Sequence, residues 1–189
     1  MNYPSNIKKE YHKYTTYGRR GMDLEYLINE ANEYYIQEDI ALIYKKPTPI
    51  GIKNTNYSNG TVKGFFKEKS TLDYNGIYKG YYIDFDAKVT NSKASFPLSN
   101  IHEHQIKHID GVIRHGGISF LIILINEEFY LLSGKKLLQF IKDSNRKSIP
   151  YSYIKDNSIK IDLTIKPYLD YIKAVDILIK ERIKWRKKY

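Results

Sequence analysis

The sequence contains no cysteine. That excludes disulfides, thiolate nucleophiles and cysteine-type zinc sites, and an intracellular, cytoplasmic setting fits best. Long apolar runs are missing too. The longest, Ile118 to Ile125, is interrupted by Ser119 and is far too short to cross a bilayer, so no membrane partner is expected. The first twenty residues are polar and charged with no apolar stretch, and no signal peptide is expected. There is no Gly-x-x-x-x-Gly-Lys loop, no Gly-x-Gly-x-x-Gly fingerprint and no Gly-x-Ser-x-Gly elbow, which disfavours nucleotide hydrolysis and serine hydrolase chemistry. His102-Glu103-His104 and His108 offer zinc as an alternative, since His104 and His108 can share a helix face. The His-Glu-x-x-His spacing of a metalloprotease is absent, however, and histidines at a helix start are commonly just exposed.

Acidic residues are the scarce charge, 21 against 31 Lys and Arg, for a net charge of +10. The excess is localised. Residues 1–20 carry five basic side chains against one acid and residues 173–189 carry seven against two, while Lys45 to Lys69 holds six lysines against Glu68 alone. Basic zones around a near-neutral body suit a polyanion such as nucleic acid, with solvated lysine-rich faces as the plain alternative.

With 189 residues, 42% of them hydrophobic, the chain is long enough for a real core and is expected to form a single domain over residues 19–189, preceded by a flexible basic arm at 1–18. Apolar spacing predicts helices over Met22–Gln37, His102–Arg114, Leu137–Ile141 and Asp170–Lys188. Strands are expected at Ile40–Tyr44, Tyr81–Val89, Ile118–Ile125 and Phe129–Leu132, the third buried on both faces. Asn54 to Lys69 reads as a projecting basic hairpin or loop, Asn75-Gly76 as a turn, and Asn145 to Lys160 as mostly loop. The order implies a mixed central sheet with helices against it, an α/β fold.

The strongest chemical signal is Asp73, followed thirteen residues later by Asp86-Ala87-Lys88. Residues i and i+2 of a strand point to one face, so Asp86 and Lys88 project side by side. Asp84 shares that face, and alternation alone does not choose between the two acids. Ile83, Phe85 and Ala87 would face the core, and the plain alternative for the even positions is a charged face in solvent. Thr71 stands two residues before Asp73. Paired carboxylates, a hydroxyl and a phosphate oxygen can hold a hard Mg²⁺, which can generate the attacking hydroxide. A lysine beside them can stabilise charge on a scissile phosphate. This is the pattern of a metal-dependent phosphodiester nuclease.

At these residues the sequence resembles the RecU-type Holliday junction resolvases of Gram-positive bacteria and mollicutes. The resemblance is carried by Arg20-Gly21-Met22 leading to Glu25, by Lys45-Lys46-Pro47-Thr48-Pro49, by Ser70-Thr71-Leu72-Asp73-Tyr74-Asn75-Gly76 and by Gly80-Tyr81-Tyr82-Ile83-Asp84-Phe85-Asp86-Ala87-Lys88. It continues through Ser95-Phe96-Pro97-Leu98, His102-Glu103-His104-Gln105, Arg146-Lys147-Ser148-Ile149-Pro150 and Asp170-Tyr171-Ile172. Such a family implies a restriction-endonuclease-like mixed central sheet flanked by helices, with a protruding basic stalk matched by residues 54–69. It implies a symmetric homodimer that makes paired nicks in four-way junction DNA with Mg²⁺, for which Mn²⁺ can substitute, during recombination and repair. A recombinase or a branch-migration motor would be a further partner. By the resemblance, Thr71, Asp73, Asp86 and Gln105 match metal-site positions, Lys88 matches the transition-state stabiliser, and Glu25 matches an acid near the site. Asp73, Asp86 and Lys88 are thus the expected catalytic set.

One departure concerns Asp86, where the family usually has Glu. An aspartate is one methylene shorter, although the wider nuclease superfamily accepts either acid before x-Lys. The shorter acid motivates a second reading, a catalytically weak junction-binding protein that modulates a recombinase. A site-specific restriction nuclease acting on linear duplex is a third.

Overall fold

The computed structural model describes residues 23–47, 49–56, 61–66 and 71–186. The basic arm expected at 1–18 and the stalk positions 57–60 and 67–69 lie outside the described residues.

Helix α1, Leu24–Gln37, starts where Asp23 accepts a hydrogen bond from Glu25 N at 3.0 Å, an N-cap that satisfies one of the orphan amides of the first turn. Strands β1 (Leu42–Lys45), β2 (Ile50–Asn56), β3 (Thr61–Phe66), β4 (Tyr74–Tyr78) and β5 (Tyr81–Val89) follow. After them come a short strand β6 (Ser95–Pro97), a 3-10 turn at Leu98–Asn100 and helix α2, Glu103–Arg114. Strands β7 (Ile118–Ile125) and β8 (Glu128–Ser133) lead to helix α3, Gly134–Asp143. The chain then forms β9 (Ser148–Pro150), α4 (Tyr151–Asn157), β10 (Ile159–Ile161) and α5 (Ile172–Arg186).

Six strands pair in the order β1-β4-β5-β7-β8-β10. The pairing of β5 with β7 is parallel and the others are antiparallel, so the sheet is mixed. Parallel neighbours need a long crossover, and here it carries β6 and α2. Helices cover both faces. Leu24, Leu27, Ile28, Ala31 and Tyr35 of α1 pack with Ile172, Val175 and Ile179 of α5 against Ile83, Phe85, Phe120 and Ile122. On the other face Ile109 of α2, Leu137 and Phe140 of α3 and Ile154 of α4 cover Leu121, Ile123, Tyr130 and Leu132. At the centre of the first face Tyr74, Phe85 and Phe120, register partners on three adjacent strands, stack with centroids 4.9 and 4.7 Å apart and planes within 9°.

Three expectations are corrected. Asn75-Gly76 is not a turn. Both residues lie inside β4, and the reversal falls at Lys79 and Gly80, whose φ values are +49° and +77°. Gly76 is required for a different reason: a Cβ there would lie 2.1 Å from the carbonyl oxygen of Leu42, because β1 passes close over it. Residues 145–160 are not mostly loop, since they supply two short strands and α4, with Pro150 as the residue before the helix. On β5 the plain alternative of a solvated charged face fails at Asp84 and Asp86, which are fully buried beneath α2, while Tyr82 near the start of the strand stays 41% exposed. The basic hairpin begins earlier than expected, at Ile50, and forms a two-stranded sheet separate from the central one.

Candidate active site

Strand β5 aims Asp84, Asp86 and Lys88 at α2, as its period of two requires. The Asp86 carboxylate meets two donors on one oxygen. Gln105 Nε2, from the first turn of α2, donates to Oδ2 at 2.7 Å, and Lys88 Nζ lies 2.8 Å from the same atom. Asp86 Oδ1 is buried and accepts no hydrogen bond from any described residue. A carboxylate oxygen in that position costs free energy unless a cation or proton meets it.

Asp73 sits just before β4, beside Asp86. Burial, and then the neighbouring Asp86 carboxyl, push its pKa up to about 6, against the opposing pull of Lys88 and Lys45. Two carboxyls crowded in this way share a site that favours a bound positive charge. Thr71, two residues earlier, accepts a hydrogen bond from Lys46 Nζ at 3.1 Å. Glu25, in the first turn of α1, pairs with Lys45 of β1 at 2.5 Å, and this contact holds the Lys45 pKa above its ordinary value.

Asp84 differs from Asp86 in a way the strand pattern does not reveal. Its Oδ1 accepts from Lys46 Nζ at 3.1 Å. Its Oδ2 accepts from the same ammonium at 2.9 Å and from Tyr82 OH at 2.5 Å, and it lies 3.1 Å from His108 Nε2. Both oxygens are engaged, whereas Asp86 keeps one free. Gln105 also has a fixed orientation: its carbonyl oxygen accepts from His102 N at 3.1 Å in a capping box, which turns the amide nitrogen toward Asp86. In this arrangement Gln105 supports Asp86 as a donor.

The structure therefore brings Asp73, Asp86, Lys88 and Gln105 together, with Thr71 tied to them through Lys46 and Glu25 through Lys45. Sequence reading placed Tyr82 on the face of the acids but did not assign Lys46 or His108 to this neighbourhood. The signal that could have found His108 was its spacing, three residues after Gln105 on α2, facing acids two apart on β5. The three histidines weighed for zinc do not converge: His102 and His104 stack on each other at 5.4 Å, and His108 is committed to Asp84. Among the described residues no three His, Cys, Asp or Glu side chains form a metal-binding group.

The donor set can still be tested against a cation. Mg²⁺ is held by one or two carboxylates, with waters and substrate phosphate oxygens filling its shell, and needs no all-protein cage. Asp73, the free oxygen of Asp86 and the Thr71 hydroxyl meet that requirement.

Comparison with known sequences decides the lineage. The sequence model of the family described as Recombination protein U, RecU, matches residues 19–177. The chain belongs to the RecU family. A "Holliday junction resolvase RecU" of Oceanobacillus iheyensis is 44% identical over 94% of this chain and 99% of its own length. One from Bacillus cereus is 44% identical over 94% of this chain and 93% of its own. One from Staphylococcus aureus is 47% identical over 86% of this chain and 83% of its own. Among solved structures, the Holliday junction resolvase Hjc of the archaeal hyperthermophile Archaeoglobus fulgidus aligns with a TM-score of 0.42 at 6% identity, covering 70% of this chain and 94% of that one.

Proposed function

We propose that this RecU-family chain is a Mg²⁺-dependent endonuclease of the cytoplasm that resolves Holliday junctions by paired nicks, in recombination and repair. The observation that carries the reading is the carboxyl pair of half-buried Asp73 and fully buried Asp86. Burial, and after it the Asp86 carboxyl, raises the Asp73 pKa to about 6, Asp86 Oδ1 meets no donor among the described residues, and Lys88 stands alongside. Relatives that align along nearly their whole length bear the name of that activity.

Asp73, Asp86 and Thr71 would hold the Mg²⁺, and Mn²⁺ suits the same oxygen set. When bound, the metal polarises the scissile phosphate and acidifies a water. The remaining work falls to the chain. Gln105 fixes Asp86 by a 2.7 Å hydrogen bond, so the free oxygen keeps its direction. Lys88 offers an ammonium from a fixed strand position to the charge that develops on phosphate. The exposed lysines of the hairpin, Lys53 and Lys63, and Lys180 of α5 contribute phosphate contacts, so junction binding falls steeply with salt.

Paired nicks on a two-fold junction call for two sites, which a C2 dimer supplies. An exposed apolar row supports that assembly. Leu42, Ile77 and Tyr82 are register neighbours across β1, β4 and β5 and remain 50%, 55% and 41% exposed. A recombinase or branch-migration motor is a further proposed partner. A strand-labelled four-way junction incubated with the protein in Mg²⁺ or EDTA tests the reading. Symmetric metal-dependent nicks are expected, lost in Asp73→Ala and Lys88→Ala while junction binding in EDTA persists. No nicking by a confirmed dimer at low salt refutes it, and cleavage of linear duplex at a fixed sequence would point to a restriction nuclease instead.

A further inference from the structure

Lys46 occupies a position that the proposed chemistry does not use. It follows β1 directly and grips the segment 71–73 at two points. Its backbone N donates to the carbonyl oxygen of Asp73 at 2.7 Å, and its Nζ donates to Thr71 Oγ1 at 3.1 Å. That segment belongs to no regular helix or strand, so neither a ladder nor a helical turn fixes the Thr71 and Asp73 side chains. Between them only Leu72, fully buried, anchors the segment to the core.

The ammonium is itself held in place. It contacts both oxygens of the buried Asp84, at 3.1 and 2.9 Å. Asp84 is in turn held by Tyr82 OH and by His108 of α2. An ion pair at this depth carries a large desolvation cost and is weak evidence for stability, so what it does for the site has to be sought in direction. Here the direction is specific. Lysine has three donors and a flexible stem, and the double contact with Asp84 leaves the ammonium aimed at Thr71. Helix α2 clamps β5 at two points, with Gln105 on Asp86 and His108 on Asp84. Residues three apart on a helix lie roughly 5–6 Å from each other. Residues two apart on a strand lie about 6.6 Å from each other. The two spacings match closely enough for both contacts to form.

We propose that Lys46, locked by Asp84, is a positioning residue that sets Thr71 and Asp73 against Asp86. It acts on the divalent cation's affinity through Thr71 and touches no reacting atom. The proposal rests on the reading that Thr71, Asp73 and Asp86 hold that cation. Partners that orient metal ligands typically change affinity by about 10–100-fold when removed.

The test is Mn²⁺ and Mg²⁺ affinity measured by calorimetry on the full chain without DNA, with circular dichroism to confirm the fold. Lys46→Met and Asp84→Asn are expected to weaken affinity by about 10–100-fold and to shift the Mg²⁺ dependence of junction nicking to higher concentration. Junction binding in EDTA should stay unchanged. In a Thr71→Val background Lys46→Met should add nothing further, since its side chain works through that hydroxyl. If Lys46→Met does not fold, Lys46→Arg serves: it keeps the pair with Asp84 but displaces the donor from Thr71, and the same weakening is expected. A folded Lys46→Met or Lys46→Arg with a lower melting temperature and unchanged metal affinity overturns the proposal. Asp73→Ala separates the two claims. If it abolishes cation binding while the Lys46 variants do not weaken it, positioning alone fails. If Asp73→Ala also binds normally, the metal reading fails and the proposal falls with it.

Discussion

Gln105→Ala probes the site without touching a carboxylate or Lys88. The wild-type amide is buried, donates to Asp86 Oδ2 at 2.7 Å and accepts from His102 N at 3.1 Å. Losing a hydrogen bond to a charged group costs about 1.5–3 kcal/mol, because Asp86 stays buried and retains only Lys88 on that oxygen. Losing the capping contact costs roughly another 0.5–1 kcal/mol. Alanine returns a few tenths through its helix propensity. The sum is about 2–4 kcal/mol, which for a chain of this size lowers Tm by roughly 5–15 °C. The assay is denaturant and thermal unfolding in EDTA, run as a double-mutant cycle with Asp86→Ala. Coupling above about 1 kcal/mol is expected, since the two groups share one short bond. A loss under about 0.5 kcal/mol, the size of an ordinary surface change, would refute the reasoning. So would a coupling of zero, because either result means that Gln105 does not hold Asp86.

Three other outcomes follow from the packing and the charges. Phe85→Ala removes the middle ring of the Tyr74-Phe85-Phe120 stack and should cost about 3–5 kcal/mol by chemical denaturation, with junction cleavage lost in proportion to the folded fraction. Gly76→Ala places a methyl against backbone rather than a mobile side chain, so its destabilisation should reach or exceed the upper end of the usual overpacking range of about 1–3 kcal/mol, read by the same unfolding curve. Glu128, held by Lys160 and by the hydroxyls of Tyr130 and Tyr151, has its pKa lowered to about 2. A depressed carboxyl stabilises the fold above its unfolded value and loses that contribution as pH falls through the folded value, so Glu128→Gln should flatten the acid limb of the stability curve between about pH 4.5 and 2. An unchanged acid limb would mean that the cluster does not persist in solution.

The long elements were legible because their patterns are redundant. Ile118–Ile125 is apolar at nearly every position, and only a strand covered on both faces needs that. The periodic stretches of α1 and α2 were likewise found to within two residues. What failed depended on neighbours distant in sequence. Asn75-Gly76 has the local chemistry of a hairpin turn, yet Gly76 is a glycine because Leu42 crosses it, a contact thirty-four residues away. The strands β9 and β10 span three residues each and have no room for a period.

The site shows the same division between local and distant determinants. A strand's period of two makes Asp84 and Asp86 equivalent, and no reading of β5 alone separates them. Their partners do, and the deciding ones come from Lys46, just after β1, and from α2. Lys46 and His108 reach Asp84 and use both of its oxygens, while Gln105 reaches Asp86 and leaves one. The same helix therefore closes one carboxylate and opens the other, through two side chains three residues apart. This also bears on Asp86 as the shorter acid at a position where the resemblance leads one to expect Glu. A carboxylate fixed by Gln105 and Lys88 gives up the reach of one methylene but keeps its direction, and direction is what the proposed role of Asp86 as a ligand to a hard cation requires. Asp86→Glu then places a longer acid in a fully buried position, where extra methylenes typically cost about 1–3 kcal/mol, so any gain in reach comes with a loss in packing.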